Sequence, residues 1–142
     1  MPIKQLSLFV ENRPGSLSAV CNVLKDNNLS IRTLSLADTQ QFGILRLLLA
    51  EYEQARTVLE KAGFIVKVTD VLALEVPDRP GGLADILTIL DKHQLSVEYM
   101  YAFTFGVADK AVIVFRFEDP HFAIEALQNE PIKLVKASEL FR

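Results

Sequence analysis

Tryptophan is absent, and cysteine occurs once, at Cys21. One cysteine excludes an internal disulfide and any metal site built from several thiolates. Histidine is scarce too. Neither His93 nor His121 has a neighbouring partner at metal-ligand spacing, so no metal or cofactor is expected. No charge sign dominates: 15 Lys and Arg against 18 Asp and Glu give a net charge of −3. That balance does not steer the chain toward nucleic acid or an anionic membrane. Long apolar runs are missing. The longest, near Ile44–Ala50 and Ala111–Phe115, fall far short of the ~20 residues a bilayer requires. No basic start followed by an apolar run and a cleavage site marks the N-terminus. A soluble, cytoplasmic protein is the expectation. Ser35 and Ser96 lack evident His–Asp partners, acidic pairs such as Glu51/Glu53 read as solvated charge, and no clustered acid–base set stands out. No catalysis is expected.

What is present is a core-forming composition and a repeat. Half of the 142 residues are hydrophobic, and the length suits one domain or two very small ones. "ENRPGSLSAV" at 11–20 returns as "PDRPGGLADI" at 77–86. At a displacement of 66 residues the matches are Leu6/Leu72, Leu8/Leu74, Val10/Val76, Arg13/Arg79, Pro14/Pro80, Gly15/Gly81, Leu17/Leu83, Leu24/Leu90, Leu29/Leu95 and Ser30/Ser96. Farther on the displacement becomes 68, aligning Ala55/Ala123 and Leu59/Leu127, as an insertion in a surface loop allows. A period this long marks one supersecondary unit duplicated.

Each unit reads β-α-β-β-α-β. Leu6, Leu8 and Val10 alternate as in a strand. Leu17, Val20, Cys21 and Leu24 recur at helical spacing, which places Cys21 in an inert core. Asn27-Asn28 can stop that helix. "LSIRTLSLA" reads as a strand, "DTQQFG" as a turn and "ILRLLLA" as a strand. Ala55, Val58, Leu59 and Ala62 form a second helical face ended by Gly63, and "FIVKV" is the last strand. The second unit predicts strand 71–76, helix 80–93, strand 95–105, a turn at 106–109, strand 111–117, helix 121–129 and strand 132–136, with a terminal helical turn in "ASELFR". Right-handed crossovers then give two α+β, ferredoxin-like sandwiches, residues 1–69 and 70–142, each an antiparallel sheet with its helices on one face. "ILRLLLA" and "AVIVFRF" are apolar at both parities, so both faces are expected to be buried, with a second copy as the simplest cover.

The repeated corner joins a strand to a helix. Asn12 and Asp78 suit helix capping, and Pro14 and Pro80 suit a first helical turn. Gly15 and Gly81 let the backbone turn sharply or let a ligand approach. Unpaired N–H groups at a helix start can seat a carboxylate. The same residues also make, more simply, a good helix start.

The corner with its helix spacing and the following "Leu-Ser-Ile/Val", present in both halves, resembles the ACT domains, small regulatory modules that bind amino acids. The resemblance covers nearly the whole chain as two tandem ACT domains without an attached enzyme. It implies a ligand where two ACT units meet, between the first loop of one and the second strand of the other. Asn12 would hydrogen-bond the ligand's polar head. Ser30 and Ser96 stand at the start of the second strands, and Asp78 replaces Asn12 in the second unit, so the two sites are expected to differ. Independently, N–H groups at Gly15–Leu17, through Ser16, and at Gly81–Leu83, through Gly82, can take a carboxylate. The Asn12 or Asp78 oxygen can take an ammonium, aided by carbonyls near Ser35 or Met100. Arg13 and Arg79 read as surface residues held extended before proline, with a carboxylate clamp as the second choice. Tyr99 and Tyr101 are candidates to line a pocket for a large side chain, while Phe103 and Phe105 read as packing. The expected partners are an amino acid, a second copy of the chain and a regulated enzyme or transporter. Two alternatives stay open: a structural subunit without ligand, and an RNA-binding module of the same topology, for which Phe115 and Phe117 would be the stacking aromatics.

Overall fold

A computed structural model describes residues 2–38, 41–103 and 109–141. Strand Phe105 and the turn at 106–108 lie outside the described residues, as does Thr39. The order is β1 (Ile3–Glu11), α1 (Ser16–Asp26), β2 (Thr33–Asp38), β3 (Phe42–Leu48), α2 (Tyr52–Lys61), β4 (Val66–Pro77), α3 (Gly82–Lys92), β5 (Val97–Ala102), β6 (Lys110–Phe117), α4 (Pro120–Leu127), β7 (Leu134–Val135) and α5 (Ala137–Leu140). The chain forms two compact units, one Lys4–Thr69 and the other Asp70–Arg142 with residues 1–3. Each is a βαββαβ unit of the ferredoxin-like α+β class. β4 supplies the last strand of the first and the opening strand of the second, which makes one strand of what the sequence divides in two. No described helix is long and apolar enough to cross a membrane.

In the first unit the strands lie in the order β2-β3-β1-β4. Leu6 and Leu8 pair with Leu47 and Leu45, and these four are buried beneath Val20, Leu24, Ala55 and Leu59 of the two helices. The alternation of β1 and the 3.6-residue spacing of α1 and α2 thus close on one core. The second unit repeats the order as β7-β4-β6-β5. Leu72, Leu74, Phe115 and Phe117 pack against Ile86, Leu90, Ala123 and Leu127.

The helix ends follow their local chemistry. Asn28 takes φ 57° after α1 and Gly63 takes φ 97° after α2, the left-handed geometry that ends a helix. Gln94 takes φ 57° at the matching place after α3. Asp119 caps α4 by accepting the Phe122 N–H at 3.1 Å.

Two packing expectations are corrected. Cys21 is exposed: the buried stripe of α1 runs through Val20 and Leu24 with Val23 beside it, so Leu17 and Cys21 fall on its rim. Leu48, Val112 and Val114 are buried within the single chain. On the outer parity of β3, however, Phe42 stays exposed and Ile44 half-buried, so only the apolar outer face of β6 is closed without a second copy.

One electrostatic contact carries a pH prediction. Glu130 bonds to the His93 ring and to Lys92 Nζ at 3.0 Å, ties that hold its carboxyl below its ordinary 4.5, the His93 bond foremost. A carboxyl whose folded pKa is depressed stabilises above its unfolded pKa, and that contribution disappears as pH falls through the folded value. Glu130→Gln is expected to flatten the loss of stability below about pH 4.5. Urea unfolding of both proteins from pH 7 to pH 3 measures this; parallel curves would refute it.

Candidate functional site

Both corners are built the same way. The Arg13 N–H bonds to the Glu11 carbonyl at 2.9 Å, and the Ser16 N–H to the Arg13 carbonyl at 3.3 Å. Gly15 sits at φ 91°, ψ −16°. A proline followed by a residue near φ 80°, ψ 0° inside an i to i+3 hydrogen bond is a type II turn. Arg79 and Gly82 bond to Pro77 and Arg79 at 3.0 and 2.9 Å, with Gly81 at φ 84°, ψ −6°. The Arg-Pro-Gly stretch is thus the turn itself, and the glycine is the residue capping each helix. Asn12 and Asp78 are not helix caps, and Pro14 and Pro80 lie before the helix rather than in its first turn. The left-handed corner demands glycine at the junction, which pushes the capping candidates back by three residues.

The first corner borders a cleft of about 550 Å³ lined by Phe9 to Glu11, Arg13 to Ser16, Ala19 and Phe64. The Ala19 N–H bonds back to Gly15 at 3.0 Å. Among the described residues no partner meets the N–H groups of Leu17 and Ser18, and no acid occupies the first turn of α1. The start of α1 therefore carries unpaired donors and a partial positive charge, and its Gly15, Ser16 and Ala19 line the cleft. Beside it Arg13 Nε and Glu11 Oε2 pair at 2.8 Å, both well exposed. Such a pair adds little stability, but it sets one charge of each sign in the cleft lining.

Asn12 turns to the other side. Its Nδ2 donates to Asp38 Oδ1 at 2.8 Å. Gly43 lies beneath: a Cβ there would come within 2.9 Å of Leu36 Cδ1, 3.3 Å of Val10 Cγ2 and 3.6 Å of Asn12 Oδ1. Asp38, Gly43, Ala19 and Phe64 were not among the expected site residues. Gly43, expected in the turn before the strand, lies inside β3, where a lone glycine marks a close approach.

The second corner is occupied by its own side chains. Arg79 Nη2 pairs with Asp85 Oδ2 at 2.9 Å, and Nη1 donates to the Pro80 carbonyl at 3.2 Å. Asp85 lies in the first turn of α3, where its carboxylate already complements the helix end. Gly82 is buried, with Leu83 half-buried after it. Asp78 is exposed, and its N–H bonds to the Asp109 carbonyl at 2.8 Å.

The remaining candidates lie elsewhere within their units. Ser30 lines a separate hollow with Cys21, Lys25 and Asn28, the length of α1 away from its corner, about 16 Å at 1.5 Å per residue. Ser96 lines a hollow with Phe117, Asp119 and Phe122. Ser35 is in register with Arg46, and Tyr99 and Tyr101 with Arg116 and Val114. These side chains occupy the sheet faces away from the helices, whereas Met100 opposite Phe115 is on the helix side. Phe115 and Phe117 are buried and stacked, 5.9 Å between centroids. They form core, not a surface on which bases stack. Among the described residues no three His, Cys, Asp or Glu side chains form a metal-binding group.

The ACT domain pair family model matches residues 1–142. Among solved structures, a protein from Bacteroides thetaiotaomicron is 35% identical, with a TM-score of 0.91 over 100% of this chain and 97% of that one. The regulatory subunit of aspartate kinase from Thermus thermophilus, at 12% identity, shares the fold with a TM-score of 0.64 over 88% and 90% of the two chains. That from Thermus flavus does so at 14% identity, with a TM-score of 0.61 over the same shares. A search of curated proteins gives no match. With a family model spanning its full length, the chain belongs to the ACT domain pair family.

Proposed function

We propose that this chain is a non-catalytic sensor that binds a free amino acid at its first corner and, as a cytoplasmic homodimer, regulates a partner enzyme or transporter. The observation that carries this reading is the start of α1. Unpaired N–H groups stand there next to a cleft, with no acid in the first turn and the Glu11–Arg13 pair in its lining. Helix-end donors suit a carboxylate, Glu11 suits an ammonium, and Phe64 with Ala19 offers an apolar wall to a side chain. Regulation then requires that the ligand favour one arrangement of the assembly over another. The two Thermus structures are regulatory subunits of aspartate kinase, which supports a metabolic enzyme as the partner.

The test is thermal stability of the protein with each of the twenty amino acids at millimolar concentration. A ligand present at ~100 times its Kd stabilises by about 2.7 kcal/mol, a shift of several degrees. One amino acid is expected to give that shift. Gly15→Val, which places a β-branched residue at a left-handed φ and fills the approach to the turn, is expected to abolish it. No shift with any amino acid would refute the sensor reading, and an undiminished shift in Gly15→Val would remove the first corner from it.

A further inference from the structure

We propose that Asp85 is a tethered carboxylate that closes the second corner, and that Ala19 at the matching place leaves the first corner open to a free one. The inference rests on the amino-acid reading of the first corner, which it extends by naming the position that confines binding there. The two corners are otherwise one device. Each is a type II turn through Arg-Pro-Gly, with the glycine at φ 91° in Gly15 and φ 84° in Gly81. The Ala19 N–H bonds to the Gly15 carbonyl at 3.0 Å, and the Asp85 N–H to the Gly81 carbonyl at 2.9 Å. Residues 19 and 85 therefore stand at the same place on their helices, and both are exposed.

What differs is where the acid stands. At the displacement of 66 residues, Glu11, Arg13 and Ala19 match Pro77, Arg79 and Asp85. The first corner keeps its acid on the strand, where Glu11 Oε2 meets Arg13 Nε at 2.8 Å, and the first turn of α1 has none. The second corner has proline on the strand and its acid on the helix, where Asp85 Oδ2 meets Arg79 Nη2 at 2.9 Å. Arg79 Nη1 also donates to the Pro80 carbonyl at 3.2 Å, which lays the guanidinium along the turn. A carboxylate is thus already held by the corner arginine at the positive end of α3, the two features a free carboxylate would use. A group tethered this closely competes at an effective concentration of about millimolar or more, and its charge repels an incoming anion. Repulsion of the wrong occupant is one half of specificity. Stability does not account for the pair, because both side chains are exposed and such pairs contribute little to folding.

Acetate, a carboxylate without an ammonium, is the probe, titrated at constant ionic strength against chloride and read by proton–nitrogen correlation NMR of the full chain. In the wild type it is expected to shift the Leu17 and Ser18 amide resonances and leave those of Leu83 and Ala84 in place. Asp85→Ala is expected to make Leu83 and Ala84 respond as well. Ala19→Asp is expected to weaken the response of Leu17 and Ser18 at least tenfold. Spectra unchanged elsewhere verify that both variants fold. A wild type silent at both corners, or one in which both corners respond alike, would overturn the proposal. So would a silent second corner in Asp85→Ala or an undiminished first-corner response in Ala19→Asp. If the acetate pattern holds while no amino acid raises the thermal stability, the closing role of Asp85 stands and the amino-acid reading alone fails.

Discussion

Gly82→Ala is expected to destabilise the second unit by about 3 kcal/mol, the upper range for forcing extra volume into a packed site. A Cβ on Gly82 would overlap the Pro77 carbonyl oxygen and approach its carbon at 2.9 Å. Both atoms are backbone, so no side-chain rotation relieves the clash. The turn itself is pinned, with Arg79 bonded to Pro77 and Gly82 bonded to Arg79. Gly81→Ala should cost less, about 1–2 kcal/mol for a left-handed alanine, since the nearest atom to its Cβ is the flexible Arg79 guanidinium at 3.9 Å. Gly15→Ala should resemble it, with nothing within 4 Å. Thermal unfolding of the three variants gives the ranking. Gly82→Ala at or below the cost of Gly81→Ala would mean the corner can open without loss.

Phe115→Ala is expected to cost more still, about 3–5 kcal/mol. Phe115 is fully buried, stacked on Phe117 and packed within the core beneath α3 and α4. Truncation removes its apolar burial and leaves a cavity that the adjoining strands cannot close. The contrast is Phe9→Ala, at a site 65% exposed, where a change within about 0.5 kcal/mol is expected. Denaturant unfolding of both variants, fitted with more than one transition if the probes disagree, measures the difference. Equal costs would mean that the helix-side core of the second unit is not packed as described.

The units were legible because their evidence is local and doubled. Leu6, Leu8 and Val10 alternate just as Leu72, Leu74 and Val76 do, and helical spacing follows the same corner twice. Helix ends at Asn28 and Gly63 were legible for the same reason, as residues that tolerate positive φ. The corner was found but its chemistry was misplaced. Asn12 has a capping side chain, yet the left-handed glycine three residues later fixes where α1 begins. Cys21 fits the helical spacing as well as Val20 does; only the tilt of α1 against its sheet decides which is covered. Asp38, Gly43 and Phe64 reach the first corner through strand register and chain reversal, which no local pattern carries. The difference between the corners depends on Asp85, six residues beyond Arg79. Its counterpart in the first repeat is Ala19, a contrast that side-by-side comparison of the two halves could have raised.

The lone thiol acquires a use from its position. Cys21 is exposed on α1, five residues beyond Ser16 and so about 8 Å along the helix that starts at the first corner. The second repeat has Leu87 at the equivalent place. An environment-sensitive dye coupled through a maleimide would therefore attach to one helix and not to its twin. Its emission would follow events at the first corner without mutating the chain to install or remove a reactive group.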